Sequence, residues 1–170
     1  MVLSQGSPTT ELTESQIREF IEKALANLPV NGKRVIAVIP DHTRSGPTGL
    51  MFRAIADALL PRVAKIDFLI ALGTHPPMSE EKINQLVGLT DSERRDRYGR
   101  VRIFNHEWNS PAALRQVGQL TRAQVEELTG GMLSMEVPVQ INKLVFEYDH
   151  LIICGPVFPH EVVGFSGGNK

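Results

Sequence analysis

Three short apolar runs constrain this chain more than any other feature, because each is followed directly by a polar segment of unusual composition. Val35–Ile39 leads through Pro40 into Asp41-His42-Thr43-Arg44, Ile66–Leu72 leads into Gly73-Thr74-His75, and Leu151–Cys154 leads into Gly155-Pro156-Val157-Phe158-Pro159-His160. Runs of four to seven residues that are apolar throughout, or in the second case apolar but for Asp67, are expected of strands covered on both faces in a parallel sheet. Between the first two, Leu50–Leu60 reads as a helix stopped by Pro61, and Ser79 caps a further helix running to Val87. Ahead of them, Thr13-Glu14-Ser15-Gln16 forms a capping box, and Ile17, Phe20, Ile21, Ala24, Leu25 and Leu28 follow at helical spacing before Pro29 and Gly32 end the helix. Strands alternating with helices mean βαβ units. The fold class expected is therefore α/β, a mostly parallel, Rossmann-like sheet flanked by helices, with residues 1–170 as a single domain.

Composition narrows the partners. With 42% hydrophobic residues, 170 residues suffice for one sizeable core. Eighteen basic and 19 acidic residues give a net charge of −1 with no long run of one sign, so a nucleic acid or a membrane surface is not the expected partner and a small molecule is. No apolar stretch approaches the roughly 20 residues of a membrane span, and the amino terminus lacks a basic patch followed by an apolar run. The single cysteine, Cys154, has no partner for an internal disulfide and reads as a small buried hydrophobe. A reducing, cytoplasmic setting is the expectation. Oligomeric state leaves no signature.

Weaker signals fill the rest. Val101–Phe104 and Pro138–Ile141 are lesser strand candidates, and Asp91–Arg100, DSERRDRYGR, is too polar to bury a face and is expected to be solvated. Gly164-Phe165-Ser166-Gly167-Gly168 reads as a glycine-rich turn leading into Lys170. It is not a Walker A loop, because Asn169 separates Gly168 from Lys170, and no G-x-G-x-x-G follows a strand candidate.

In a parallel sheet all loops after strands leave at the carboxyl edge, where open α/β sheets bind ligands. Asp41, Arg44, His75 and His160 should therefore meet, although each alone has a structural reading as a turn-forming carboxylate, a surface ion pair or a core imidazole. An arginine can grip a substrate carboxylate with two parallel hydrogen bonds, and a histidine can exchange a proton near neutral pH. Such a set suits a small anionic substrate. His106 and His150 lack this placement and are read as structural, His150 at the opposite edge because it precedes its strand. Two other uses of these residues stay open: a non-catalytic ligand-binding module, and a hydrolase holding a divalent ion with His75, His160 and Asp41.

DHTR, GTH followed by PPMSEE, and GPVFPH running into GFSGGNK resemble, in order and approximate spacing, the motifs of the lactate racemase family. The resemblance implies the N-terminal, cofactor-binding domain of a larger two-domain isomerase that interconverts enantiomers of a 2-hydroxy acid. Its cofactor is a nickel-pincer nucleotide, a pyridinium mononucleotide with two sulfur arms, one of them bound to a lysine. Carried onto this chain, it makes His75 and His160 the proton donor/acceptors and Lys170 the attachment point. Asp41, His42, Thr43 and Arg44 would line the cofactor site, Arg44 also holding the substrate carboxylate. No residue up to Lys170 is assigned to nickel; the family's ligating histidine follows the lysine. Ser45 and Pro76 stand where many members have Pro and Arg, so substrate identity is left open. A chain of these 170 residues alone is expected to be inactive and to carry no covalently bound cofactor.

The resemblance also accounts for two histidines. Hydrogen on a carbon bearing a hydroxyl beside a carboxylate is too weakly acidic for an imidazole to remove, whereas its loss as hydride, with the hydroxyl proton passing to a histidine, gives a planar 2-oxo acid. Hydride return to the other face inverts the centre, which calls for one base on each side.

Overall fold

The computed structural model describes residues 2–162 and 164–167. Its elements, in chain order, are α1 (Glu14–Ala26), β1 (Arg34–Pro40), α2 (Thr48–Leu59), β2 (Lys65–Ala71), α3 (Glu80–Val87), α4 (Asp91–Asp96), β3 (Ile103–Asn105), β4 (Leu114–Leu120), α5 (Arg122–Leu128), β5 (Val137–Asn142), β6 (His150–Ile153), β7 (Val157–His160) and β8 (Gly164–Gly167). Strands β3-β2-β1-β6 form, in that order, a four-stranded sheet in which every pairing is parallel. The α/β class expected from the apolar runs is the class observed.

Local chemistry sets the helix starts. Thr13 and Gln16 form the anticipated capping box of α1, Ser79 accepts from the Lys82 N–H to open α3, and Gly88 ends α3 at φ 65°. Side-chain oxygens at such positions satisfy backbone N–H groups that the helix cannot. Gly49 is held against α3, where an added Cβ would lie 3.0 Å from the Val87 carbonyl oxygen.

The two faces of the sheet are not equivalent. Val35, Ala37 and Ile39 of β1 and Ile66, Phe68 and Ile70 of β2 join Leu25, Phe52, Ile55, Leu59, Ile83 and Val87 from the helices in one large core. On the other face Ile36 and Leu69 pack with Tyr148, beside the 3-10 turn Lys143–Glu147. That alternation is the period of two of a pleated strand. Only β6 departs from the two-sided burial expected of its sequence, for Leu151 and Ile153 are 49% and 45% exposed while Ile152 packs on the core.

Asp67 anchors the second face. Fully buried, its carboxylate accepts from Tyr148 Oη at 2.6 Å, from Lys65 Nζ at 2.7 Å and from the Arg102 N–H at 2.7 Å. It thereby ties β2 to the start of β3 and to the segment before β6. Asp67→Ala is expected to lower stability by about 2–4 kcal/mol, because three donors lose a buried acceptor together. Asp67→Asn, which keeps one acceptor oxygen, should cost less. Urea unfolding of the two variants measures the difference.

Several expectations are corrected. Within the charged segment Asp91–Arg100, residues Asp91–Asp96 form a capped helix with no buried residue, yet Tyr98 just after the helix is fully buried, its ring centroid 5.2 Å from that of Phe52 and its hydroxyl donating to Asp57. The weak candidate Pro138–Ile141 is β5, paired antiparallel with β4, which the sequence did not suggest. The presumed loops around His160 and Gly164 are a second antiparallel hairpin, β7–β8, pairing Val157 with Gly167 and His160 with Gly164. Gly167 has φ +85°, and a Cβ there would collide with the Pro156 carbonyl oxygen, so glycine is required.

Candidate active site

The carboxyl ends of β1, β2, β3 and β6 and the overlying β7–β8 hairpin enclose a cleft of about 500 Å³. Its lining includes Pro40, Arg44, Gly73, His106, Phe158 and His160, with Ile153, Cys154 and Pro156 among its apolar walls. Burial pushes the Cys154 thiol up, in keeping with the packing role expected of it. A second recess of about 840 Å³ opens on the other side of Arg44, between α1, the start of α2 and α3, and takes in His42 and Lys82. The Asp41–Arg44 segment thus separates in space: Arg44 borders both recesses, and His42 only the second.

Asp41 is buried at the end of β1. One carboxylate oxygen accepts from the Thr43 N–H at 3.1 Å and hydroxyl at 2.6 Å, and the other lies 2.6 Å from His75 Nδ1. Burial works to raise the Asp41 carboxyl, but the hydrogen bonds from Thr43 and His75 outweigh it and hold it below its ordinary value. With the carboxylate ionised, His75 Nδ1–H donates to it, leaving the Nε2 lone pair free in the neutral ring. The loop carrying His75 is fastened at several points: its N–H donates to the Leu72 carbonyl at 2.9 Å, its carbonyl accepts from Trp108 Nε1 at 3.2 Å, and Asn105 pairs with both backbone groups of Met78. The His75 side chain is half exposed, beside the cleft rather than among its lining residues.

His160, at the end of β7, is held differently. The Val162 N–H donates to its Nδ1 at 3.1 Å, so the neutral ring carries its hydrogen on Nε2. Glu161 Oε2 lies 3.8 Å from the same nitrogen. Because β1 alone separates β2 from β6, the loops bearing His75 and His160 leave the same edge of the sheet from near-neighbouring strands. His150 pairs with Val35 at the start of β1, the opposite edge, as expected. Lys170 lies outside the described residues.

His106 is the residue that sequence reasoning misplaced. Strand β3 runs to Asn105 in parallel register with β2, so His106 follows a strand at the same carboxyl edge, and it lines the cleft with Arg44 and His160. Its signal was the rule that located His75, applied to a run too short to be counted among the strong strands. Asn142 and Trp108 had no such signal.

The sequence model described as the lactate racemase N-terminal domain matches residues 2–170. The chain belongs to the lactate racemase family. It is 30% identical over 169 residues to a lactate racemase of Lactiplantibacillus plantarum, covering 90% of this chain and 34% of that protein. A lactate racemase of Thermoanaerobacterium thermosaccharolyticum is 28% identical over 155 residues, covering 87% of this chain and 31% of the relative. Among solved structures, a crystal structure of a protein from Thermotoga maritima superposes with a TM-score of 0.82 at 36% identity, over 98% of this chain and 38% of that one. The chain therefore spans about a third of the length of the lactate racemases it matches.

No helix among the described residues is long and apolar enough to cross a membrane. Nor do the described residues include a cluster of three or more His, Cys, Asp or Glu side chains able to hold a metal ion. Of the three residues named for the hydrolase arrangement, Asp41 holds Thr43 with one oxygen and His75 with the other.

Proposed function

We propose that this chain is the cofactor-binding and proton-transfer domain of an isomerase that interconverts the enantiomers of a small 2-hydroxy acid. One observation carries the reading: two imidazoles at one sheet edge are held in complementary forms, His75 by the Asp41 carboxylate and His160 by a backbone N–H. Nε2 of the neutral His75 ring accepts a proton, and His160, once protonated at Nδ1 as well beside Glu161, offers one from Nε2. Arg44, in the cleft, pairs with the substrate carboxylate through its fork of donors. The walls of Phe158, Pro156 and Ile153 suit a short aliphatic chain.

His75 then takes the hydroxyl proton of one enantiomer, and His160 returns a proton to the oxygen of the planar 2-oxo acid from its other side. At the end His75 is protonated and His160, which acts as the acid from its doubly protonated form, is left neutral with its hydrogen on Nδ1 toward Glu161, so the pair stands ready for the reverse conversion or resets through water. The nickel-pincer nucleotide implied by the family supplies, when bound, removal and return of hydride at C2. The cleft fits such a group in size, since pockets for drug-sized ligands run to about 300–1,000 Å³. In charge, Arg44 answers an anionic mononucleotide. Arg44 is the residue of the DHTR segment best placed to touch cofactor or substrate, and His42 and Lys82 border the adjoining recess. Attachment at Lys170 is part of the proposal.

The test is interconversion of D- and L-lactate, followed by circular dichroism, in full-length protein carrying this sequence and co-expressed with the enzymes that make the cofactor. Conversion in both directions is expected. Protein loaded with cofactor that converts neither lactate nor related 2-hydroxy acids would contradict the reading.

A further inference from the structure

His106 is a third imidazole at the carboxyl edge, and the proton transfers above leave it unused. Its ring is fixed through Asn142, the last residue of β5. Asn142 Oδ1 accepts from the Leu144 N–H at 2.9 Å, which commits the amide oxygen and turns the amide nitrogen toward His106, 3.0 Å from Nδ1. An amide NH₂ can only donate, so Nδ1 must accept and the ring hydrogen sits on Nε2. Among the described residues, Nε2 has no hydrogen-bond partner, although the residue lines the cleft shared by Arg44 and His160.

We propose that His106 is a substrate-contacting residue, a neutral Nε2–H donor to an oxygen of the bound 2-hydroxy acid, held in that form by Asn142. This rests on the reading of the cleft as the 2-hydroxy acid site. Burial also lowers the basicity of the ring, which favours the neutral form without supplying the argument for it. The division of labour follows from the partners. Asp41, a carboxylate, lets His75 gain and keep a proton, whereas Asn142 opposes a second proton on His106, since Nδ1 would have to give up its bond to take one. His106 thus offers a hydrogen bond that does not turn into proton transfer. Its position directly after β3 puts that donor across β2 and β1 from the strand that leads to His160. It can therefore fix where the acid's oxygens lie between the two proton-transfer groups.

The experiment is proton-detected ¹⁵N NMR of the histidine rings in the 170-residue chain, titrated with D-lactate, L-lactate and oxamate, with binding constants taken from the same titrations. His106 is expected to show an accepting Nδ1 and a protonated Nε2, and the Nε2–H signal should move as ligand is added. His106→Ala should weaken binding roughly ten- to a hundredfold, the worth of one hydrogen bond to a charged group. His106→Gln, which can place an amide N–H near the Nε2 position, should stay within about threefold of the parent. A structural histidine would give the opposite pattern, with a Nε2 signal indifferent to ligand. Should His106→Ala fail to fold, the ligand-induced shift in the parent chain decides alone. Ligand binding that depends on Arg44 but leaves the His106 signal and the affinity of its variants unchanged overturns this proposal and spares the wider one. Absence of any binding by the parent chain overturns both.

Discussion

Replacing His75 or His160 by alanine in the full-length protein is expected to slow interconversion of lactate enantiomers by roughly 10²–10⁴-fold, the usual contribution of a positioned proton-transfer group. His150→Ala should leave the rate nearly intact, because His150 begins β6 beside Val35 at the far edge of the sheet. The two cleft variants should also differ from each other. Without His75 the step that fails is removal of the hydroxyl proton on its side, and without His160 it is delivery on the other, so each loss should appear first in the initial rate from a different enantiomer. Initial rates from pure D- and pure L-lactate, measured by circular dichroism, separate the cases. Near-normal turnover in either variant would remove that histidine from the mechanism.

Asp41→Asn carries the second large effect. The native carboxylate accepts from His75 Nδ1–H at 2.6 Å and leaves Nε2 as the base. An asparagine amide in the same place can turn its NH₂ toward Nδ1, which moves the ring hydrogen to Nε2 and abolishes the accepting lone pair. A serine protease triad altered in the same way, with the shape kept and the tautomer wrong, loses about 10⁴-fold in turnover. A fall of roughly 10²–10⁴-fold is expected here. Ring ¹⁵N shifts of His75 in the variant should show the exchanged tautomer, and a rate loss without that exchange would assign Asp41 another role. Acid should mimic the substitution. The Asp41 carboxyl is held below its ordinary value in the fold, so its contribution to stability is present above the unfolded-state pKa and is lost as pH falls through the lowered folded-state value.

Much of this architecture is legible in the sequence because burial writes a pattern there. Ile36 and Leu69 face one way while Val35, Ala37, Phe68 and Ile70 face the other, so β1 and β2 have no polar side to interrupt the run, and even Asp67 hides inside it by spending its charge on Lys65, Tyr148 and Arg102. Strand β6 carries the same kind of run, yet two of its side chains remain exposed, because a run of apolar residues states that a face wants cover and not what covers it. The β4–β5 hairpin gives a faint signal for a related reason: Arg115, Gln116 and Gln119 are all exposed, so hydrophobic alternation cannot mark the strand.

The site divides similarly. Placement after a strand put Asp41, Arg44, His75 and His160 at one edge, since the carboxyl edge of a parallel sheet is a property of topology. What partners each group is a property of coordinates. The Asp41–His75 bond joins residues 34 apart, and Asn142 reaches His106 across 36, distances along the chain at which no spacing rule operates. Tyr98 shows the limit from the other direction, a buried ring in a segment whose charges, Arg94 and Arg97 among them, turn outward or bond to neighbouring backbone and carboxylates.

The central claim is that His75 and His160 handle the hydroxyl proton of the substrate and never the hydrogen on C2. Racemisation of L-lactate by the full-length, cofactor-loaded protein in deuterium oxide tests it directly, with proton NMR reading C2 of both enantiomers as inversion proceeds. The account predicts that D-lactate accumulates with its C2 hydrogen retained and no deuterium entering that position. Deuterium appearing at C2 as fast as inversion would mean that a histidine removes that hydrogen as a proton, and would contradict it.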